Sequence, residues 1–172
     1  PPSLTHAMMV ARAKVLVNAK FDGLQSFQNE AAALSPEVPL PRRVAVLYAV
    51  ALAESRAGNH AAALQRVRTL MPWVNAQAES EAQEQVQLLL ANVQIQAGDL
   101  IAATQTLSRL RPSRAQRFLL AQARVGQQKP DAAQRAIEDM LLWLGDHPQD
   151  AQAWDMLSRA LYVTGDTLRA VR

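Results

Sequence analysis

The sequence predicts an all-α fold, a right-handed solenoid of about five antiparallel helix pairs, and three observations carry that expectation. The composition favours helix: Ala, Leu, Gln and Arg abound, while aromatic residues make up 5 % of the chain, and β-branched and aromatic residues are the ones that favour strands. Four glycine-led dipeptides, Gly58-Asn59, Gly98-Asp99, Gly126-Gln127 and Gly165-Asp166, each separate two helical stretches. The helices between them are apolar on more than one side, as a helix wedged between neighbours in a stack must be.

Glycine adopts the left-handed conformation just past a helix end at little cost, so each dipeptide reads as a tight turn within a helix pair. Asn59, Asp99 and Asp166 then stand where a side-chain oxygen caps the following helix. The glycines are 40, 28 and 39 residues apart, a period that indicates stacked supersecondary units. A small residue, Ala51, Ala91 or Ser158, lies seven before three of them, and Ala63, Ala103 or Ala170 five after. A two-residue insertion at Gln128-Lys129 would bring Ala133 into the same slot. The first two units also match at Val67 and Leu107, Leu70 and Leu110, and Pro72 and Pro112. Each proline is expected to open a new segment and not to continue the helix before it.

In chain order, helices are expected over 4–17, 22–34, 41–57, 60–71, 77–97, 99–111, 113–126, 131–145, 149–164 and from 166 onward. Ser35 to Pro41 holds three prolines and reads as a stiff linker between pairs. The longest apolar run, Val44 to Ala53, falls short of the roughly 20 residues that a membrane span needs, and so predicts a buried helix. In 85–97, Val86, Leu89, Leu90 and Val93 form one stripe with Leu88 and Ile95 roughly opposite. In 153–164, Trp154, Leu157 and Leu161 form a stripe opposed by Met156 and Val163. The last helix stops after barely two turns, and the chain begins at Pro1 without methionine or a signal segment. Residues 1–172 therefore read as one helical repeat domain cut from a longer protein.

The chain carries 18 basic and 15 acidic residues, a net charge of +3, too balanced to imply a nucleic-acid or membrane partner. Without cysteine it has neither disulfides nor thiolate–metal sites. His6, His60 and His147 are far apart, and the latter two are expected at exposed helix ends. There is no H-E-x-x-H, no glycine-rich phosphate loop and no G-x-S-x-G, so no catalytic, cofactor or metal site is expected in this chain. Glu79, Glu81 and Glu84 cluster near a helix start, where negative charge complements the helix dipole.

One charge feature points to binding. No acidic residue lies between Asp99 and Asp131, whereas Arg109, Arg111, Arg114, Arg117, Arg124 and Lys129 do. On a helix through 113–126, Arg114, Arg117 and Arg124 fall within roughly 80° of one another. Such a patch could receive a carboxylate or an acidic peptide through bidentate guanidinium contacts, or it is a solvated face. Phe118 is the only aromatic residue between Trp73 and Trp143, which speaks against the base stacking that single-stranded nucleic acid requires.

Trp154, eleven residues before Gly165, joins the glycines, the small-residue slots and the closing prolines in a pattern that resembles the tetratricopeptide repeat. The resemblance places Tyr48, Asn92, Arg124 and Arg159 on the groove-facing side of first helices, as contacts for a protein or peptide partner. Met8 to Leu16 (MMVARAKVL), Tyr48 to Gly58 (YAVALAESRAG) and Ala153 to Arg172 (AWDMLSRALYVTGDTLRAVR) narrow it further. Together they resemble the C-terminal tetratricopeptide region of periplasmic zinc metallopeptidases of the β-barrel assembly-enhancing type. That likeness implies a non-catalytic interaction module in the periplasm. An upstream H-E-x-x-H domain would hold the zinc and pack against the repeats, which would engage outer-membrane assembly machinery or its substrates. None of the family's zinc ligands and not its catalytic glutamate has a matching position here. The alternative is a free-standing tetratricopeptide adaptor.

Overall fold

A computed structural model describes residues 3–17 and 23–166. Among the described residues every regular element is a helix: α1 (Leu4–Val17), α2 (Gly23–Ala32), α3 (Leu40–Arg56), α4 (His60–Asn75), α5 (Ser80–Gln96), α6 (Leu100–Leu107), α7 (Arg114–Gly126), α8 (Pro130–Asp146) and α9 (Ala151–Thr164). The chain divides into two compact units, residues 1–97 with α1 to α5 and residues 98–172 with α6 to α9. The helix expected from 166 onward, and Ala170 with it, lies outside the described residues.

In the first unit α3 is the central element. Pro39 caps it without a side-chain bond and Pro41 occupies its first turn, where a missing N–H costs nothing. The apolar run from Val44 then explains its place. Val44, Val50 and Ala51 have no exposed surface, and Val46 to Ala49 are buried as well, because α1, α2, α4 and α5 all pack on this helix. In the second unit α7, α8 and α9 enclose a core rich in small residues: Ala121, Ala136, Ala153 and Ala160 around Met140, Leu144 and Leu157. Alanine at these positions lets helix backbones approach closely.

The left-handed residue expected after a helix is found at Gly58, Gly98 and Gly165, whose φ angles are +84°, +80° and +83°. Gly126 differs. It is the last residue of α7, and the left-handed residue of that turn is Gln128, at φ +53°. Counted from Gln128, Ala121 lies seven before and Ala133 five after. Both are fully buried, as are Ala51 and Ala63 about Gly58 and Ala91 and Ala103 about Gly98, while Ser158, seven before Gly165, is half-buried. The repeat register thus runs through the left-handed residue, whatever its identity. Glycine at 126 serves packing instead: an added Cβ would lie 3.1 Å from Leu100 Cδ1.

Two helix ends differ from expectation by four residues each. Helix α4 does not stop before Pro72 but carries it inside and runs on to Asn75. Proline within a helix costs up to about 3 kcal/mol. The extra turn buries Val74 completely and sets Trp73 beneath the Arg43 guanidinium, 4.9 Å from the ring centroid. Helix α6 ends at Leu107, four residues early. Ser108 turns back to donate its hydroxyl to Thr104 O at 2.7 Å, Gln116 Nε2 takes up the Leu107 carbonyl at 3.0 Å, and Arg111 precedes a proline, which disfavours helical backbone. Of the expected caps, Asp99 Oδ1 accepts from Ala102 N at 3.2 Å, whereas Asn59 makes no side-chain cap bond.

Candidate functional site

The arginine patch on α7 is met by carboxylates of the same unit. Arg114 donates from Nε and Nη2 to the two oxygens of Asp150, at 3.1 and 3.2 Å, and from Nη2 to Gln152 Oε1 at 2.8 Å. Its guanidinium also covers the Phe118 ring at 4.7 Å. Arg124 is paired with Asp139 of α8. Arg117 is half-buried and forms no ion pair with a described residue. The bidentate carboxylate expected from a partner is, for Arg114, an internal one, because α8 and α9 bring acids opposite a helix that has none of its own.

Asp150 is the junction of this unit. It caps α9 by accepting from Gln152 N and Ala153 N, and it also accepts from Trp143 Nε1 at 3.1 Å. Hydrogen bonding from Arg114 is the main reason its carboxyl is lowered to about 2, with the Trp143 and Ala153 donors adding to it against the opposing effect of desolvation. Beside it Trp143 and His147 stack in parallel, ring centroids 3.8 Å apart. These residues, with Asp146, Pro148 and Gln149, line an open pocket of about 480 Å³.

Of the positions assigned to a groove, Tyr48 is a core residue. Its ring is packed within the first unit, and burial raises its hydroxyl pKa, against the opposing charge of Arg12. It lies in the middle of the apolar run on α3, a helix covered on every side, and is not available to a partner. Asn92 is half-buried on α5. Arg159 is exposed and pairs with Asp155 one turn earlier at 3.0 Å, a contact of little worth that a partner can exchange.

What the sequence pattern missed is the outward face of α9. Trp154 reads as part of a buried stripe, yet it is 51 % exposed, and Tyr162, eight residues on, is 71 % exposed. The buried face of α9 centres on Ala153, Leu157 and Ala160, and Trp154 stands one helical step away from it. Its indole is held over the preceding turn by a bond from Nε1 to Pro148 O at 2.9 Å. The signal that could have found this face is the alanine register of Ala153 and Ala160, which fixes the inward side independently of the large residues.

Other titratable groups make contacts within the first unit. Glu79 does not serve its own helix; its Oε2 accepts from Thr5 N at 3.3 Å and so caps α1. His60 is half-buried with an enclosed, unpartnered Nδ1, unlike exposed His147. The first unit also buries a carboxylate, Glu54 of α3, which accepts from Gln28 Nε2 at 3.3 Å and stands 3.7 Å from Arg66 Nε, its Oε2 without a partner. Among the described residues no group of three His, Asp or Glu side chains is placed to hold a metal ion, and no helix is long and apolar enough to cross a membrane. Compared with protein-family models, curated proteins and solved structures, the chain matches none.

Proposed function

We propose that the chain is a non-catalytic protein-interaction module whose partner docks on the α9 face formed by Trp154, Arg159 and Tyr162. The observation that carries this reading is the exposure of both aromatic rings on one side of one helix, beside a guanidinium. Trp, Tyr and Arg are the residues that dominate binding energy at protein interfaces. The Trp154 indole is already oriented by its bond to Pro148 O, so less rotamer freedom is lost on binding.

In the fuller form of this reading the helix pairs belong to a tetratricopeptide-like right-handed solenoid of about five pairs, the repeat region of a periplasmic zinc metallopeptidase. The resemblance and the register of buried alanines support it. An upstream peptidase domain would then hold the zinc and pack on the repeats, and the α9 face would meet outer-membrane assembly machinery or its substrates. A free-standing adaptor would use the same face.

The test is binding of the chain to purified outer-membrane β-barrel assembly machinery, followed by interferometry. Trp154→Ala and Tyr162→Ala should each weaken binding by about tenfold or more, as expected for aromatic anchors. Equal binding by wild type and both variants would remove the α9 assignment. Casein cleavage by the chain alone, abolished by a chelator, would remove the non-catalytic reading. Binding of a separately produced H-E-x-x-H domain separates the peptidase accessory from the adaptor.

A further inference from the structure

The elbow between α8 and α9 carries negative charge without a partner. Asp146 is the last residue of α8, and no basic residue lies in that last turn. The helix dipole is negative there, so a carboxylate is stabilised by a cation that can reach it. Asp146 is exposed and, among the described residues, has neither an ion pair nor a hydrogen bond.

Beside it, the Trp143–His147 stack walls the open pocket of about 480 Å³. The two rings lie 3.8 Å apart and within 4° of parallel. Trp143 is fixed by its bond from Nε1 to Asp150 Oδ2 at 3.1 Å, and His147 Nδ1 lies 3.2 Å from Trp143 O. The imidazole is thus held flat, one face on the indole, in a residue that remains exposed. A ring held in this way can be stacked upon without first losing rotamer freedom.

The charges around the pocket select the occupant. Besides Asp146, the charged side chains that line it are Asp150 and Arg114. These two neutralise each other through their bidentate pair, and the Arg114 guanidinium lies over Phe118. What remains is Asp146 and the carbonyl end of α8, both negative. An anion would meet only Nη1 of Arg114, since Nε and Nη2 are already bonded, and would face two carboxylates. A neutral ring would stack but leave Asp146 unpaired. An ammonium would pair with Asp146 but has no plane to lay on the imidazole. A guanidinium does both, stacking through its face and donating within its plane to a carboxylate.

We propose that this pocket binds a guanidinium group, stacked on His147 and paired with Asp146, from an arginine side chain of a partner or from free arginine. The site does not rest on the α9 reading.

The probe is N-acetyl-arginine amide, titrated into the isotope-labelled full chain while nuclear magnetic resonance follows the Trp143 indole N–H and the His147 amide. Both resonances should shift saturably. The neutral N-acetyl-citrulline amide and the non-planar N-acetyl-lysine amide should each bind about fivefold or more weakly. Asp146→Asn should weaken arginine binding by about fivefold and His147→Ala by about threefold, with the circular dichroism spectrum unchanged because both residues are exposed. Asp155→Asn removes a carboxylate outside the pocket and Tyr162→Ala removes a ring of the α9 face. Neither should change arginine binding, so the two readings fail separately. Tighter binding of the blocked amide than of free arginine assigns the site to a side chain of a partner, and the reverse order assigns it to the free amino acid. Absence of saturable shifts, equal binding of the citrulline or the lysine amide, or full affinity in Asp146→Asn overturns the proposal. Acetate that shifts the same resonances at lower concentration than the arginine amide overturns it in favour of an anion on Arg114.

Discussion

Alanine at the turn glycines separates two roles that the sequence makes look alike. Gly58 and Gly98 sit at φ +84° and +80° with nothing within 4 Å of an added Cβ, so the whole effect of Gly58→Ala or Gly98→Ala is conformational. A non-glycine residue in the left-handed region costs roughly 1–2 kcal/mol, and the gain from a stiffer unfolded chain returns about 0.4–1 kcal/mol. Each variant should therefore lose about 1 kcal/mol, a fall of about 5 °C in the melting temperature of a unit this size.

Gly126→Ala differs in both terms. The backbone there is already helical, so alanine gains up to about 1 kcal/mol of helix propensity. Its Cβ meets Leu100 Cδ1 and Cδ2 at 3.1 and 3.3 Å, and moving that flexible side chain off its rotamer costs about 0.5–1.5 kcal/mol. The two terms nearly cancel, leaving a change within about 0.5 kcal/mol of zero. Urea denaturation followed by far-UV circular dichroism resolves the difference. If Gly126→Ala loses as much as Gly58→Ala and Gly98→Ala, the turn lies at Gly126 and the register argued above is wrong. Neutral effects at Gly58 and Gly98 would refute the assignment of strain.

Tyr48→Ala should destabilise the first unit by about 3–5 kcal/mol, as removal of a buried aromatic does; unchanged stability with lost partner binding would return Tyr48 to a surface role. Pro72→Ala should stabilise α4 by about 1 kcal/mol, by restoring an N–H to the helix at an exposed position, and a lower urea midpoint would contradict this. For Asp150 the folded pKa is depressed to about 2. Its contribution is then complete above the ordinary carboxylate pKa and is lost as pH falls from about 4 to about 2. Thermal melts across that range should fall more steeply for the wild type than for Asp150→Asn, and parallel curves would show that the Arg114 contact does not matter to stability.

How much of this was legible turns on which interactions act within one helix. The apolar run from Val44 to Ala53 declared a buried α3, and three of four glycine turns stand where their spacing puts them. The exceptions each involve a residue distant in sequence. Pro72 was expected to end α4, but burial of Val74 and Arg43 stacked on Trp73 hold a further turn. Gly126 resembles the other glycines until Leu100 is beside it. The arginines read as a receptor for an outside carboxylate because Asp150 and Asp139 lie on other helices. Tyr48 and Trp154 changed places, the first inside and the second outside, since periodicity marks an apolar side without saying which neighbour covers it.

That exchange moves the argument about binding from charge to apolar surface. Arg114 and Arg124 spend their guanidinium geometry on internal acids, whereas large apolar side chains are left in water on α1 and α9, and also at Ile101 of α6 and at Leu141 and Leu142 of α8. The α1 and α9 faces differ in chemistry: aliphatic on α1, aromatic with an exchangeable ion pair on α9. Substitution of Trp154 or Tyr162 should therefore weaken partner binding more than substitution of Arg114 or Arg124 does.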